Sequence, residues 1–119
     1  MKKTVVIGAS TNPDRYSYKA IESLLNHGHE VVAVGIKKGE LFGLEILNNY
    51  PHIKNVHTVT LYVGPANQSE IMEYVISLKP ERVIFNPGTE NELFEKELKS
   101  NNIFTERACT LVLLSASMY

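Results

Sequence analysis

The chain has 119 residues, 44% hydrophobic and 21% charged, with 12 Lys and Arg against 13 Asp and Glu for a net charge of −1. That length builds one core and not two, and the balanced charge lacks the basic excess of a sequence-independent nucleic-acid binder. No apolar run approaches the roughly 18 residues that span a bilayer, while one cysteine and four scattered histidines exclude an internal disulfide framework, argue against a structural zinc site and fit a reducing cytoplasm.

Thr4–Ile7 is a run of β-branched residues between Lys3 and Gly8, the pattern of a strand buried on both faces. It is too short and too strand-like for the core of a secretory leader, so the expected location is cytoplasmic. A polar turn over residues 8–17 leads into Ala20, Ile21, Leu24 and Leu25 at helical spacing, with Gly28 positioned to end the helix. Val31–Val34 reads as a second buried strand. A loop punctuated by Gly35, Gly39 and Gly43 follows, with a weak strand candidate at residues 44–47.

Residues 58–62 alternate as a strand, closed by Gly64 and Pro65. Asn67 and Glu70 have the spacing of a capping box. Ile71, Met72, Val75, Ile76 and Leu78 supply the buried stripe of the next helix, and Pro80 stops it. Arg82–Phe85 is a strand, and Asn86, Pro87 and Gly88 turn the chain. Thr89 and Glu92 form a second capping-box pair before the apolar face of Leu93, Phe94 and Leu98, with Glu92–Lys96 and Glu95–Lys99 as i,i+4 pairs. Residues 103–105 read as the last strand. Residues 111–114 read as a short helix packed on the sheet, with a strand as the alternative.

Strands alternating with helices through short connections predict one α/β domain over residues 1–119, a doubly wound parallel sheet with helices on both faces. Ligands of such folds sit outside the carboxyl ends of the strands, where the strand order reverses. The loops there carry the functional signal. After strand one, Gly8 permits a tight turn and close approach of a phosphate to main-chain N–H groups. Ser10 and Pro13 stand where a dinucleotide fingerprint has its second and third glycines. Ser10 and Ser17 can still donate hydroxyls to phosphate oxygens; the plain alternative is a strand-to-helix turn built on Asn12 and Pro13.

Strand two ends without the acid that holds an NAD ribose; Lys37 and Lys38 follow instead. That pair suits a ribose phosphate, such as the 3′-phosphate of coenzyme A or the 2′-phosphate of NADP, although lysine pairs are commonly just solvated. The loops at Val63, Gly64 and Pro65 and at Asn86, Pro87 and Gly88 are neutral and offer no acid–base residue. At the last strand's end Arg107 stands near Cys109. A cation and a helix start there would favour a thiolate; a buried inert thiol is the alternative.

The run from Gly8, Ala9, Ser10, Asn12 and Pro13 to Arg15 and Ser17, then Gly28 to Val31, then the glycine-spaced lysine loop, resembles the CoA-binding domain family. These are small stand-alone bacterial proteins similar to the N-terminal CoA-binding domain of the succinyl-CoA synthetase α subunit. The resemblance extends from strand one to the Cys109 region, most specifically in the first loop and the Arg107–Cys109 segment. It implies a Rossmann-like domain holding CoA across its switch point. Gly8, Ala9, Ser10 and Arg15 would follow the pyrophosphate and Lys37 the 3′-phosphate. Val63 and Pro65 would line the adenine or pantetheine wall, Asn86, Pro87 and Gly88 would flank the pantetheine arm, and Cys109 would lie near the thiol. Thr110 and Tyr16 stand where many members carry proline.

No ligase or nucleotide-grasp domain fits within these residues, and a fold does not by itself supply chemistry. The expected function is therefore a cytoplasmic CoA- or acyl-CoA-binding module rather than an enzyme, with a small-molecule ligand and no nucleic-acid or membrane partner. An NADP-dependent reductase, or a redox-regulatory or interaction subunit acting through Cys109, are the alternatives.

Overall fold

The computed structural model describes all residues from Met1 to Tyr119. Five parallel strands, β1 (Thr4–Ile7), β2 (Val31–Val34), β5 (Thr58–Leu61), β6 (Arg82–Phe85) and β7 (Phe104–Arg107), form one sheet in the order β2-β1-β5-β6-β7. A separate two-stranded hairpin, β3 (Glu40–Leu41) with β4 (Leu44–Glu45), lies between β2 and β5 in sequence. Helices α1 (Tyr16–Asn26), α2 (Ser69–Leu78), α3 (Glu92–Ser100) and α4 (Thr110–Ser115) complete the chain. This is the Rossmann-like α/β fold that the alternating pattern predicts. The order reverses between β1 and β5, which pair in register from Thr4 opposite Thr58 to Ile7 opposite Leu61.

Strand periodicity sorts the core into two faces. Val5, Ile7, Val59, Leu61, Val83 and Phe85 pack with α2 and α3 residues such as Val75, Phe94 and Leu98. Val6, Ala33 and Ile84 pack with Ile21 and Leu24 of α1 and Leu114 of α4. The tail beyond β7 is thus a short helix on the sheet. All four helices end at left-handed residues: Gly28 (φ 82°) after α1, Lys79 (φ 50°) just before Pro80 after α2, Asn102 (φ 61°) after α3 and Ser117 (φ 56°) after α4. At α1 the His29 N–H bonds Leu24 C=O at 3.0 Å and the Gly28 N–H bonds Leu25 C=O at 3.0 Å, a Schellman closure.

Four local expectations are corrected. Residues 44–47 split into β4 and a single bridge from Leu47 to Val34, because Phe42 and Gly43 turn the chain back on Glu40–Leu41. The last strand runs to Arg107 rather than stopping at residue 105. α2 starts at Ser69 after a 3₁₀ turn over Pro65–Asn67 and has no side-chain cap. α3 is capped by Asn91, whose side chain accepts the Phe94 N–H at 3.2 Å, since the Thr89 hydroxyl is spent on the Asn86 carbonyl at 2.8 Å.

Candidate functional site

A cleft of about 910 Å³ opens at the carboxyl ends of β1, β2 and β5 and reaches the loop after β6. Its floor is set by two close approaches. Gly8 has φ +96°, and a Cβ there would lie 2.9 Å from the Tyr62 carbonyl. A Cβ on Gly35 would lie 2.7 Å from the Ala9 carbonyl. Only glycine lets these strand ends touch through the main chain.

Gly8, Ala9, Ser10, Arg15 and Ser17 all line the cleft. The N–H groups of Gly8 and Ala9, however, both donate to the Val34 carbonyl at 3.0 Å. They tie β1 to β2 and leave no donor for a phosphate. The open donors lie further along. Arg15 is the N-cap of α1 without a side-chain bond, and the N–H groups of Tyr16, Ser17 and Tyr18 have no acceptor within the chain. An uncapped helix start of this kind attracts anions. Ser10 Oγ accepts the Asn12 N–H at 3.0 Å, which leaves its hydroxyl proton free to donate. Asn12 and Pro13 do not line the cleft. Asn12 builds the turn instead, accepting Asp14 N–H at its side chain and Arg15 N–H at its carbonyl, both at 3.0 Å.

On the β2 side, Ile36, Lys37 and Lys38 line the cleft and are exposed. Asn48 holds their loop in place: its Nδ2 donates to the Gly35 carbonyl at 2.8 Å and the Lys37 carbonyl at 3.3 Å. The acids on the cleft wall are Asp14 and Glu70, neither of them in the loop after β2.

On the far side, Val63, Pro87 and Gly88 line the cleft, whereas Pro65 begins the exposed 3₁₀ turn and Asn86 lies beneath the wall. Asn86 is 2% exposed. Its Nδ2 donates to Thr60 Oγ1 at 2.6 Å and the Leu61 carbonyl at 2.8 Å, and its Oδ1 accepts the Thr110 N–H at 2.9 Å. It pins Pro87 and Gly88 to the sheet. Gln68, buried completely, donates from Nε2 to the Val63 carbonyl at 2.8 Å and the Thr89 carbonyl at 2.7 Å. It staples the loops after β5 and β6 together. Nothing in the local sequence marks Gln68, which sits in what reads as a capping segment. Tyr62 also lines the cleft; burial pushes its phenol well above the usual tyrosine pKa, so it stays protonated.

Cys109 does not line the cleft. It is the half-buried N-cap of α4, one residue before the Thr110 N–H that Asn86 holds. Arg107, expected to act on this thiol, is engaged by Glu95 through two bonds of 2.9 Å. That fork also displaces the expected Glu95–Lys99 pair, since a bidentate guanidinium matches a carboxylate better than an ammonium does. Arg107 holds the Glu95 carboxyl below the usual glutamate pKa.

Fold and cleft define a single Rossmann-like α/β domain with its opening at the switch point. The chain belongs to the CoA binding domain family, whose profile matches residues 2–115. A crystal structure described as an uncharacterized protein superposes with a TM-score of 0.98 at 53% identity, covering 100% of this chain and 98% of that one. The cell-free ID.343 protein of Thermus thermophilus superposes at 0.86 with 24% identity, covering 99% and 90% of the two chains. The dinucleotide forming acetyl-coenzyme A synthetase 1 of Ca. Korarchaeum cryptofilum, solved with phosphate and ADP, shares the fold. Its TM-score is 0.66 at 19% identity, over 87% of this chain and 25% of its own. No curated protein matches the sequence.

Proposed function

We propose that residues 1–119 form a binding module for coenzyme A or an acyl-CoA, with no catalytic constellation of its own. The observation that carries this reading is the pairing, on one cleft, of an uncapped helix N-terminus with Lys37 and Lys38. CoA is an elongated anion with phosphate at two places, a pyrophosphate and a ribose 3′-phosphate. The α1 N–H groups and the Ser10 hydroxyl suit the first, and Lys37 suits the second. Val63 and Gly64 offer a small, neutral wall, and Pro87 and Gly88 flank the way out for the pantetheine arm. The thiol end would then lie past Gly88, with Cys109 outside the cleft lining as the N-cap of α4.

The test is thermal denaturation against ligand concentration, since a ligand that binds only the folded state raises its stability by mass action, by about 2.7 kcal/mol at a hundred times Kd. CoA is expected to raise Tm progressively, dephospho-CoA less, and NAD not at all. No shift with CoA, or an equal one with NAD, overturns the reading. A larger shift with NADP than with CoA, accompanied by hydride transfer, establishes the reductase instead.

A further inference from the structure

Tyr50 is a bulky aromatic held at φ +49°, directly after Asn49 at φ +63°. Asparagine tolerates this left-handed region; a tyrosine ring does not adopt it without cost, and such strain persists only where the surroundings impose it. Here both flanks are clamped. On one side, Leu47 N–H donates to the Ala33 carbonyl at 2.8 Å and Gly35 N–H to the Leu47 carbonyl at 3.0 Å. Asn48 then binds the carbonyls of Gly35 and Lys37. On the other side, Tyr74 of α2 donates its hydroxyl to the Pro51 carbonyl at 2.7 Å. The Tyr50 and Tyr74 rings lie 5.2 Å apart, tilted by 46°. The result is a half-buried aromatic side chain on the cleft wall.

Resting on the CoA reading above, we infer that Tyr50 is the stacking surface for the purine base of the ligand. A base offers a π-face to any aromatic side chain, and such stacking needs no sequence of polar contacts. The ribose phosphate and the base belong to one nucleoside, so their receptors must be held in a fixed relation. Asn48 supplies that relation: it grips the lysine loop at the Lys37 carbonyl and stands two residues before Tyr50. The bonds on either side of Tyr50 hold its left-handed backbone, and so the ring, in place. The competing role is packing alone, because Tyr50 also leans on the core formed with α2 and α3.

Two halves of the ligand separate these roles. Adenosine 3′,5′-bisphosphate carries the base and the ribose phosphate; 4′-phosphopantetheine carries neither. Calorimetric titration of wild type, Tyr50→Leu and Tyr50→Phe with both probes is the experiment. Tyr50→Leu keeps apolar bulk and removes the aromatic face. It is expected to weaken the bisphosphate by about tenfold and leave phosphopantetheine unchanged, with Tyr50→Phe close to wild type. Equal weakening of both probes, or of neither, overturns the inference. Should Tyr50→Leu fail to fold, Tyr50→Gly, which relieves the left-handed backbone, is expected to fold and to show the same split; bisphosphate binding as tight as wild type in that variant overturns it too. Wild-type protein that binds neither probe overturns the CoA reading itself, whereas wild-type binding with an unaffected Tyr50→Leu removes only the role of Tyr50.

Discussion

The two faces of the central sheet both bury an apolar cluster, but only one buries a row of polar side chains beside it. Toward α2 and α3, the face is closed by a cluster of 16 buried apolar residues, with Phe85 and Phe94 meeting edge to face at 5.3 Å. Toward α1 and α4 a smaller cluster of 11 buried apolar residues is joined by Thr4, Thr58, Thr60, Arg82 and Asn86, all buried and each hydrogen bonded. At the amino end of that face Arg82 donates to Thr58 Oγ1 at 3.1 Å and to the Tyr119 main-chain oxygen at 3.0 Å, with its guanidinium 4.3 Å from the Tyr119 ring centroid. At the carboxyl end Thr60, Asn86 and Thr110 form one network. Apolar burial is non-directional and supplies stability. Hydrogen bonds are directional and decide where a loop stands. Apolar clusters on both faces therefore hold the domain together, and the polar groups buried on the α1 and α4 side position the far wall of the cleft.

The comparison breaks most visibly on the apolar side. Phe94→Ala is expected to cost about 3–5 kcal/mol in a denaturant melt while the fraction still folded binds CoA with unchanged affinity. Lost affinity at full folding would mean that the apolar face also shapes the cleft. On the polar side, Asn86→Ala leaves Thr60, the Leu61 carbonyl and the Thr110 N–H short of a partner. The expected loss is about 1–3 kcal/mol, together with weaker CoA binding as Pro87 and Gly88 come loose. Calorimetry on the folded variant decides this: a stability loss with intact affinity would deny the polar face its positioning role.

The rim of the apolar face carries a pH dependence. Arg107 holds the Glu95 carboxyl lower in the folded chain than in the unfolded one. The stability it contributes is present above the unfolded glutamate pKa and is lost as pH falls through the lowered folded value. Urea melts of wild type and Glu95→Gln are expected to differ at neutral pH and to converge in acid; a constant gap would assign Glu95 a purely steric role. The smallest effect lies on the exposed side of the cleft. Lys37→Glu is expected to weaken CoA by about fivefold or less and dephospho-CoA not at all, as read by titration at low salt. Equal weakening of the two ligands would separate Lys37 from the 3′-phosphate.

The order of strands and helices was legible because a short unbroken run of β-branched residues marks a strand buried on both faces, while apolar residues recur every three to four positions along a helix, and both patterns are written locally. The general place of the cleft followed from the same pattern, since it lies where strand ends meet. Gly8, Ser10, Ser17, Lys37 and Gly88 could be singled out from their loops alone, and all of them line the cleft. Capping at α2 and α3 was misread because several polar residues compete for each helix start and the winner depends on which neighbour is already bonded, as Thr89 is to Asn86.

What the sequence by itself determined is thus the alternation of elements, the helix stops at Gly28 and before Pro80, and the absence of an acid from the loop after β2. Tertiary structure alone decided the rest. Glu95 chose Arg107 over Lys99 because β7 lies beside α3. The Gly8 and Ala9 N–H groups went to Val34 because β2 pairs with β1. Gln68 reached Val63 and Thr89, and Asn86 reached Thr60 and Thr110, across strands separated in sequence but adjacent in the sheet. A side chain's local pattern records its own turn or strand, whereas its hydrogen-bond partner is set by strand order and register, which come into existence only when the sheet closes.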